Sequence, residues 1–112
     1  PVDCQIDFID ITADLYQKLI DFEPFGMANP RPVFASPDVE VVQARGVGPD
    51  KKHLKLMLRQ QDITLPGIGF NLGGKGSNLT TGDKISVAYQ IDENEWNGKT
   101  ELQLQVKDIK KD

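Results

Sequence analysis

The chain has 112 residues, the length of one domain with a single modest core rather than two. Its net charge of -4 argues against a uniformly basic nucleic-acid binder. No apolar run approaches membrane-spanning length, no charged-then-apolar leader is present, and the single Cys4 cannot form an internal disulfide. We therefore expect a cytoplasmic protein with no membrane partner.

The chain starts at Pro1 without a methionine, so we expect it to be a piece of a larger protein. Residues 1–8 alternate apolar and polar side chains, which predicts a half-buried strand. Thr12 is predicted to cap a short helix that ends at Pro24 and Gly26. We assign this amphipathic helix a packing role and no chemistry. Its apolar face is predicted to contain Leu15, Leu19 and Phe22.

Residues 22–34, which we call the strap, contain three prolines and a glycine, a composition that rules out regular structure. Each proline fixes its own φ and biases the residue before it towards extended conformations, so the strap is predicted to be stiff. An ordinary proline-rich loop is the alternative. The apolar side chains expected to hold the strap on a core are Phe22, Phe25, Met27, Val33 and Phe34.

Only strands are predicted after the strap. They cover residues 38–47, 52–59, 63–71, 84–90 and 100–107. Pro66 and Gly67 are expected to break the third strand, and Asn97 with Gly98 is a hairpin signal within a predicted turn over residues 93–98.

The segments between and after these strands are predicted to be irregular. Residues 71–83, with four glycines, are predicted as a long mobile loop, and residues 108–112 as a solvated tail. Five short strands favour a mainly β, closed barrel of the OB type, with an SH3-like barrel as the alternative. We divide the chain into residues 1–37, containing the N-terminal strand, helix and strap, and an OB-fold domain over residues 38–112.

Charge is distributed unevenly along the chain. Residues 1–40 carry a net charge of -6, whereas residues 41–112 carry +2. Between Arg45 and Arg59 the local net charge is +4, which indicates either a phosphate-binding surface or a merely solvated face.

Several motifs in order resemble the RecJ family, the single-stranded-DNA-specific exonucleases of the DHH phosphoesterase superfamily. The strap sequence EPFGMANPRPVF resembles the family's signature there, with Ala28 where the family usually has glycine. The resemblance continues through KHLKL at residues 52–56, IGF at 68–70, TGD at 81–83 and ENEWNG at 93–98, with Pro66 as a second departure.

The resemblance implies an OB domain that binds single-stranded DNA, next to upstream DHH and DHHA1 domains of the same chain, where the strand over residues 1–8 would complete the upstream domain. We expect this binding to be weak and without sequence preference, because aromatic residues are only 7% of the chain. The family's catalytic Asp-His-His motif, which would hold Mn or Mg, is not in this segment. We therefore expect no catalytic residue, metal ligand or cofactor in this chain, and a role in DNA repair and recombination for the parent exonuclease.

In an OB barrel the ligand lies across the second and third strands, between the loops joining strands 1–2 and 4–5. These loops would be residues 46–52 and 92–99. Cations there would bind phosphates and aromatic rings would stack bases. The predicted nucleic-acid-binding residues are Arg45, Lys51, Lys52, His53, Lys55, Arg59, Phe70, Trp96 and Lys99.

Other roles are less favoured by the sequence. The chain could instead be a docking module that braces the exonuclease domains or binds a repair partner, which the acidic N-terminal third favours. A nucleotide-binding enzyme is disfavoured because residues 73–77 lack the spacing of a P-loop. The acidic turn with Asp92, Glu93 and Glu95 suits a solvated turn better than a cation site.

Overall fold

The computed structural model describes residues 2–21 and 31–112, and the elements named here belong to those two ranges. Two 3₁₀ turns, Phe8–Asp10 and Pro49–Lys51, join some of these elements. In chain order the strands and α-helices are β1 (Cys4–Gln5), α1 (Ala13–Asp21), β2 (Phe34–Val47), β3 (His53–Gln60), β4 (Ile63–Gly69), α2 (Gly73–Gly76), β5 (Lys84–Trp96) and β6 (Lys99–Lys111). No helix in this part of the chain is long and apolar enough to cross a membrane.

Strands β2 to β6 form a closed five-stranded barrel. β2 pairs antiparallel with β3 and also with β5, β3 pairs with β4, and β5 pairs with β6. The barrel is completed by a short parallel pairing of β4 with β6, in which Gly67 and Ile68 lie opposite Leu104 and Gln105. Closure leaves the central strands without free edges. The predicted OB-type barrel is confirmed.

The barrel interior follows the period-two pattern of the sequence. Leu54, Leu56 and Leu58 of β3 are buried, as predicted, and so are Leu104 and Val106 of β6. These side chains pack with buried residues from every other barrel strand except β4, and with the N-terminal segment. The further buried apolar residues are Phe8, Ile11, Phe34, Val39, Val41, Ile85, Val87, Tyr89, Ile91 and Ile109.

The N-terminal segment packs on this barrel rather than on a separate sheet. Its strand is only two residues long and pairs in parallel with Phe34 and Ala35 of β2, so the predicted eight-residue strand is wrong. The alternation of apolar and polar residues does not reveal that Phe8, which is fully buried, enters the core from a 3₁₀ turn. In this turn the Phe8 backbone N–H donates to Gln60 Oε1 at 2.6 Å. The predicted cap of α1 is confirmed, since Thr12 Oγ1 accepts from the Leu15 N–H at 3.1 Å.

Most of the strap lies outside the described residues. The predictions for Phe22, Phe25 and Met27, and for a helix end at Pro24 and Gly26, therefore stay predictions, as does the division of the chain at residue 37. The described end of the strap leads directly into β2, which begins at Phe34 rather than at residue 38. A bulge between Ser36 and Val39, with Asp38 at a φ of 53°, lets this long strand bend and pair with both β3 and β5.

Two expectations about irregular backbone are wrong. Pro66 does not break β4, because pairing with β3 continues from Ile63 to Gly69 without a shift. On its other side β4 pairs with β6 only at Gly67 and Ile68, so Pro66 is not one of the residues paired there. The predicted loop over residues 71–83 contains α2, which packs against β2 and β3.

The C-terminal hairpin is longer than predicted. Glu93 and Glu95, expected in a turn, belong to β5, and the connection to β6 consists only of Asn97 and Gly98, with φ values of 51° and 76°. The predicted solvated tail is instead the end of β6, because a bulge between Ala88 and Tyr89 changes the alternation and turns Ile109 into the core.

Candidate nucleic-acid interface

The outer face of β2, β3 and β4 brings two of the predicted cations together. Arg45 lies directly opposite Lys55, and Lys55 lies opposite Ile68 on its other side. The next row along the same face contains Gln43, Met57 and Pro66. Because residues opposite each other across a strand pair share a face, these two rows form a continuous strip with a cationic end and an apolar centre.

The loop between β2 and β3 adds two more cations at the Arg45 end of this strip. Lys51 and Lys52 are exposed there and, like Arg45 and Lys55, form no ion pair with any described residue. We call these four residues the basic cluster. Unpaired cations are those free to exchange their counterions for phosphates.

Helix α2 holds this loop in place. The Gly73 N–H donates to the Lys52 carbonyl at 2.8 Å, and a side chain at residue 73 would bring its Cβ to 2.0 Å from the Lys51 carbonyl oxygen. Glycine at this position therefore serves close packing of backbone on backbone. A cleft of about 400 Å³ remains between the loop and α2, lined in part by Arg45, Lys51 and Asp50.

Arg59 is the last predicted cation of the segment between Arg45 and Arg59. It is separated from the basic cluster. It lies at the far end of β3, where its Nη2 is 2.9 Å from Glu40 Oε1. This hydrogen bond also lowers the pKa of the Glu40 carboxyl. A charge already compensated in this way offers a phosphate less than the unpaired cations do.

His53 and Phe70 lie together beside the loop between β2 and β3. The Asn71 N–H donates to His53 Nδ1 at 3.0 Å, and the two rings meet edge to face with centroids 5.4 Å apart. The Phe70 side chain is 53% exposed, which is unusual for so large an apolar group. An exposed ring held by a neighbouring ring can accept a stacked base.

The β5–β6 hairpin carries Trp96 and Lys99 next to its turn, where they pair with each other. Lys99 is exposed and, by alternation, shares a face with Glu101.

The rest of this hairpin arm is acidic, since Glu93, Glu95 and Asp92 lie along β5. Only Asp92 among them forms an ion pair with a described residue, with Arg31 at 2.9 Å. In residues 2–21 and 31–112 no group of three or more His, Cys, Asp or Glu side chains is arranged so that it could hold a metal ion.

A groove lies between the strip and the hairpin, in the region where the sequence predicts the ligand of an OB barrel, but of its lining residues only Lys55 is predicted from the sequence. It has a volume of about 280 Å³. Its lining residues are Lys55, Met57, Pro66, Asn94, Glu101 and Gln103. Outward polar residues on β5 and β6 resemble an ordinary solvated face in sequence, and only the closure of the barrel brings them opposite β3 and β4.

The barrel order, the parallel β4–β6 pairing and the outer face just described define an OB-fold module. Solved structures support this fold. Over 99% of its length the chain is similar to Entamoeba histolytica asparaginyl-tRNA synthetase, with a TM-score of 0.62, 12% identity and 23% of that chain covered. Its fold is also similar to that of aspartyl tRNA synthetase from the same organism, with a TM-score of 0.56, 12% identity and 99% and 25% of the two chains covered.

Sequence comparison then identifies the family: residues 2–108 match the RecJ OB domain, and the chain belongs to that family. It is 32% identical over 99 residues to the single-stranded-DNA-specific exonuclease RecJ of Bacillus subtilis, a match that covers 88% of this chain and 13% of that protein. The corresponding protein of Haemophilus influenzae is 30% identical over 84 residues, covering 73% and 14%. The chain thus spans about one-seventh of these relatives' length.

Proposed function

We propose that this chain is the single-stranded-DNA-binding module of a larger RecJ-like 5′ to 3′ exonuclease acting in DNA repair and recombination in the cytoplasm. The observation that carries the proposal is the basic cluster: Arg45 and Lys55 lie opposite each other on the outer face, beside Lys51 and Lys52, without carboxylate partners among the described residues. Family membership supports the same role, because the relatives' names specify single-stranded DNA.

The basic cluster would bind successive phosphates of the strand and release their counterions. Phe70 would stack a base next to the loop between β2 and β3, and the His53 ring would hold the Phe70 ring through their edge-to-face contact. Contacts to phosphates carry no sequence information, so binding is mostly independent of sequence. Binding is also weak, because aromatic residues that could stack bases are only 7% of the chain. Trp96 and Lys99 would approach the strand from the hairpin.

Hydrolysis belongs to other parts of the parent protein in this proposal. The upstream DHH and DHHA1 domains of the same chain would supply the catalytic residues and the Mn or Mg ions. The OB module would hold the strand on its way to that site.

The test is a titration of fluorescent oligo-dT at low salt. Changing Lys51, Lys52 and Lys55 to Gln removes three cations from the basic cluster while preserving most of each side chain's length. We expect binding to weaken about tenfold or more, because up to three phosphate contacts are lost. Circular dichroism and thermal unfolding would verify that the barrel is intact.

A matched control changes Lys18, Lys107 and Lys110, three exposed lysines outside the basic cluster, to Gln. It lowers net charge equally, so its binding should stay close to wild type. If both triple variants bind as the wild-type chain does, the basic cluster is not the DNA site.

A docking module that braces the exonuclease domains is the second candidate, and the acidic hairpin arm favours it. Glu93, Glu95 and Glu101 would repel a DNA strand but would suit a basic protein surface. A brace of this kind predicts no anisotropy change with any oligonucleotide in the same titration.

A further inference from the structure

The groove between β3–β4 and the hairpin is divided by charge. On one side is Lys55 of the basic cluster and on the other is Glu101, whereas Glu93 and Glu95 lie on the opposite face of the hairpin. Phosphates are attracted to the first side and repelled from the second. A bound strand therefore places its backbone over β2 and β3 and turns its bases towards the hairpin.

The groove suits a base in size and polarity. Met57 and Pro66 form an apolar surface against which a flat ring can pack, and they lie opposite each other on β3 and β4. A volume of about 280 Å³ lies just below the range of about 300 to 1,000 Å³ of drug-sized ligand sites, which fits one base better than a larger ligand.

The polar rim of the groove is available to a ligand. Asn94, Gln103 and Glu101 make no side-chain hydrogen bond to any residue of the described ranges. Glu101 lies directly opposite Asn94, so a carboxylate and an amide lie side by side on the hairpin. The two amides can donate or accept, whereas the ionised carboxylate only accepts.

An acceptor on the rim selects among bases. Cytosine presents an exocyclic amino donor that a carboxylate accepts, whereas thymine presents a carbonyl oxygen at the same position. A carbonyl facing Glu101 would leave the carboxylate without a donor and place two acceptors together.

We propose that this groove is a base-binding subsite in which Glu101 favours a base with an exocyclic amino group over thymine, with Asn94 and Gln103 completing the hydrogen bonds. The subsite rests on the proposed function and adds a modest base preference to binding that is otherwise governed by phosphates. Glu101 is thus a specificity residue that lowers overall affinity by repelling the backbone.

The experiment compares fluorescent oligo-dC and oligo-dT of equal length, two pyrimidine strands with the same charge. The wild-type chain should bind oligo-dC about two- to tenfold more tightly, the range expected for one net hydrogen bond. Glu101→Gln should bind both strands more tightly and lose the preference, because the amide can donate to the thymine carbonyl as well as accept. Glu95→Gln removes the same charge from the opposite face of the hairpin and should keep the preference.

The possible failures are distinguishable. Absence of binding to either strand by the wild-type chain would contradict the proposed function itself. Binding with equal affinity for the two strands, or a preference that persists in Glu101→Gln, would overturn the subsite and leave the basic cluster in place.

Discussion

At the residue scale, a short chain of buried hydroxyls ties the N-terminal segment to the barrel. Ser36 Oγ donates to the Ile6 carbonyl at 2.6 Å and is 2.7 Å from the Tyr89 hydroxyl. Since Ser36 has one hydroxyl proton, Tyr89 donates in the second bond. Burial raises the pKa of Tyr89 to about 12, and the nearby Asp10 and Asp7 also raise it.

This raised pKa predicts a loss of stability in alkali. The folded-state pKa of Tyr89 lies above the unfolded value of about 10, so its contribution is complete below about pH 10 and is lost as pH rises towards 12. Tyr89→Phe should lower the free energy of unfolding by about 1 kcal/mol at pH 7 but flatten its decline between pH 10 and 12. Urea unfolding at several pH values would measure both effects. An unchanged alkaline decline in Tyr89→Phe would contradict the assignment.

At the element scale, the docking of α2 depends on glycine at one position and not at its neighbour. A Cβ at Gly73 would lie 2.0 Å from the Lys51 carbonyl oxygen, whereas a Cβ at Gly74 would meet open space. Gly73→Ala should therefore destabilise the chain by about 1 to 3 kcal/mol and displace the loop with Lys51 and Lys52, weakening oligonucleotide binding. Gly74→Ala, the matched control, should be neutral or stabilise by up to about 1 kcal/mol. Thermal unfolding and oligo-dT titration measure the two effects, and equal behaviour of both variants would show that α2 does not hold the loop.

The elements that the sequence predicts well are those whose side chains alternate without interruption. β3, with Leu54, Leu56 and Leu58 inward, is predicted within one residue at each end because the pattern is local. The errors occur where contacts between residues far apart in the sequence determine the local backbone conformation. Phe8 lies in a 3₁₀ turn whose N–H donates to Gln60, fifty-two residues away, and Ile109 is turned inward by an extra residue of β6 opposite Ala88 and Tyr89 of β5. The basic cluster follows from charge spacing, but the base subsite depends on barrel closure.

At the scale of the whole molecule, the local charge of the basic cluster predicts that DNA is attracted, whereas the net charge of the molecule predicts that DNA is repelled. The molecule has a net charge of -4, yet the four cations of the basic cluster form no ion pair with any described residue and lie at the adjoining ends of β2 and β3 and in the loop between them. Screening by salt determines whether the local or the net charge dominates, because exposed charges farther apart than about 8 Å are largely screened at physiological ionic strength. A strand lying on the basic cluster is therefore attracted by nearby cations more than it is repelled by distant acids.

The number of phosphates that the basic cluster neutralises sets the salt dependence of binding. If four cations neutralise three to four phosphates of a single strand, log K should fall with log[salt] with a slope between about -2 and -3. The triple variant of Lys51, Lys52 and Lys55 retains Arg45 and should have a slope near -0.7, whereas the control variant of Lys18, Lys107 and Lys110 should keep the wild-type slope. Both variants have the same net charge, so a difference between their slopes can come only from where the charges lie. Equal slopes would mean that the strand responds to the molecule's total charge and that the outer face of the barrel does not guide it.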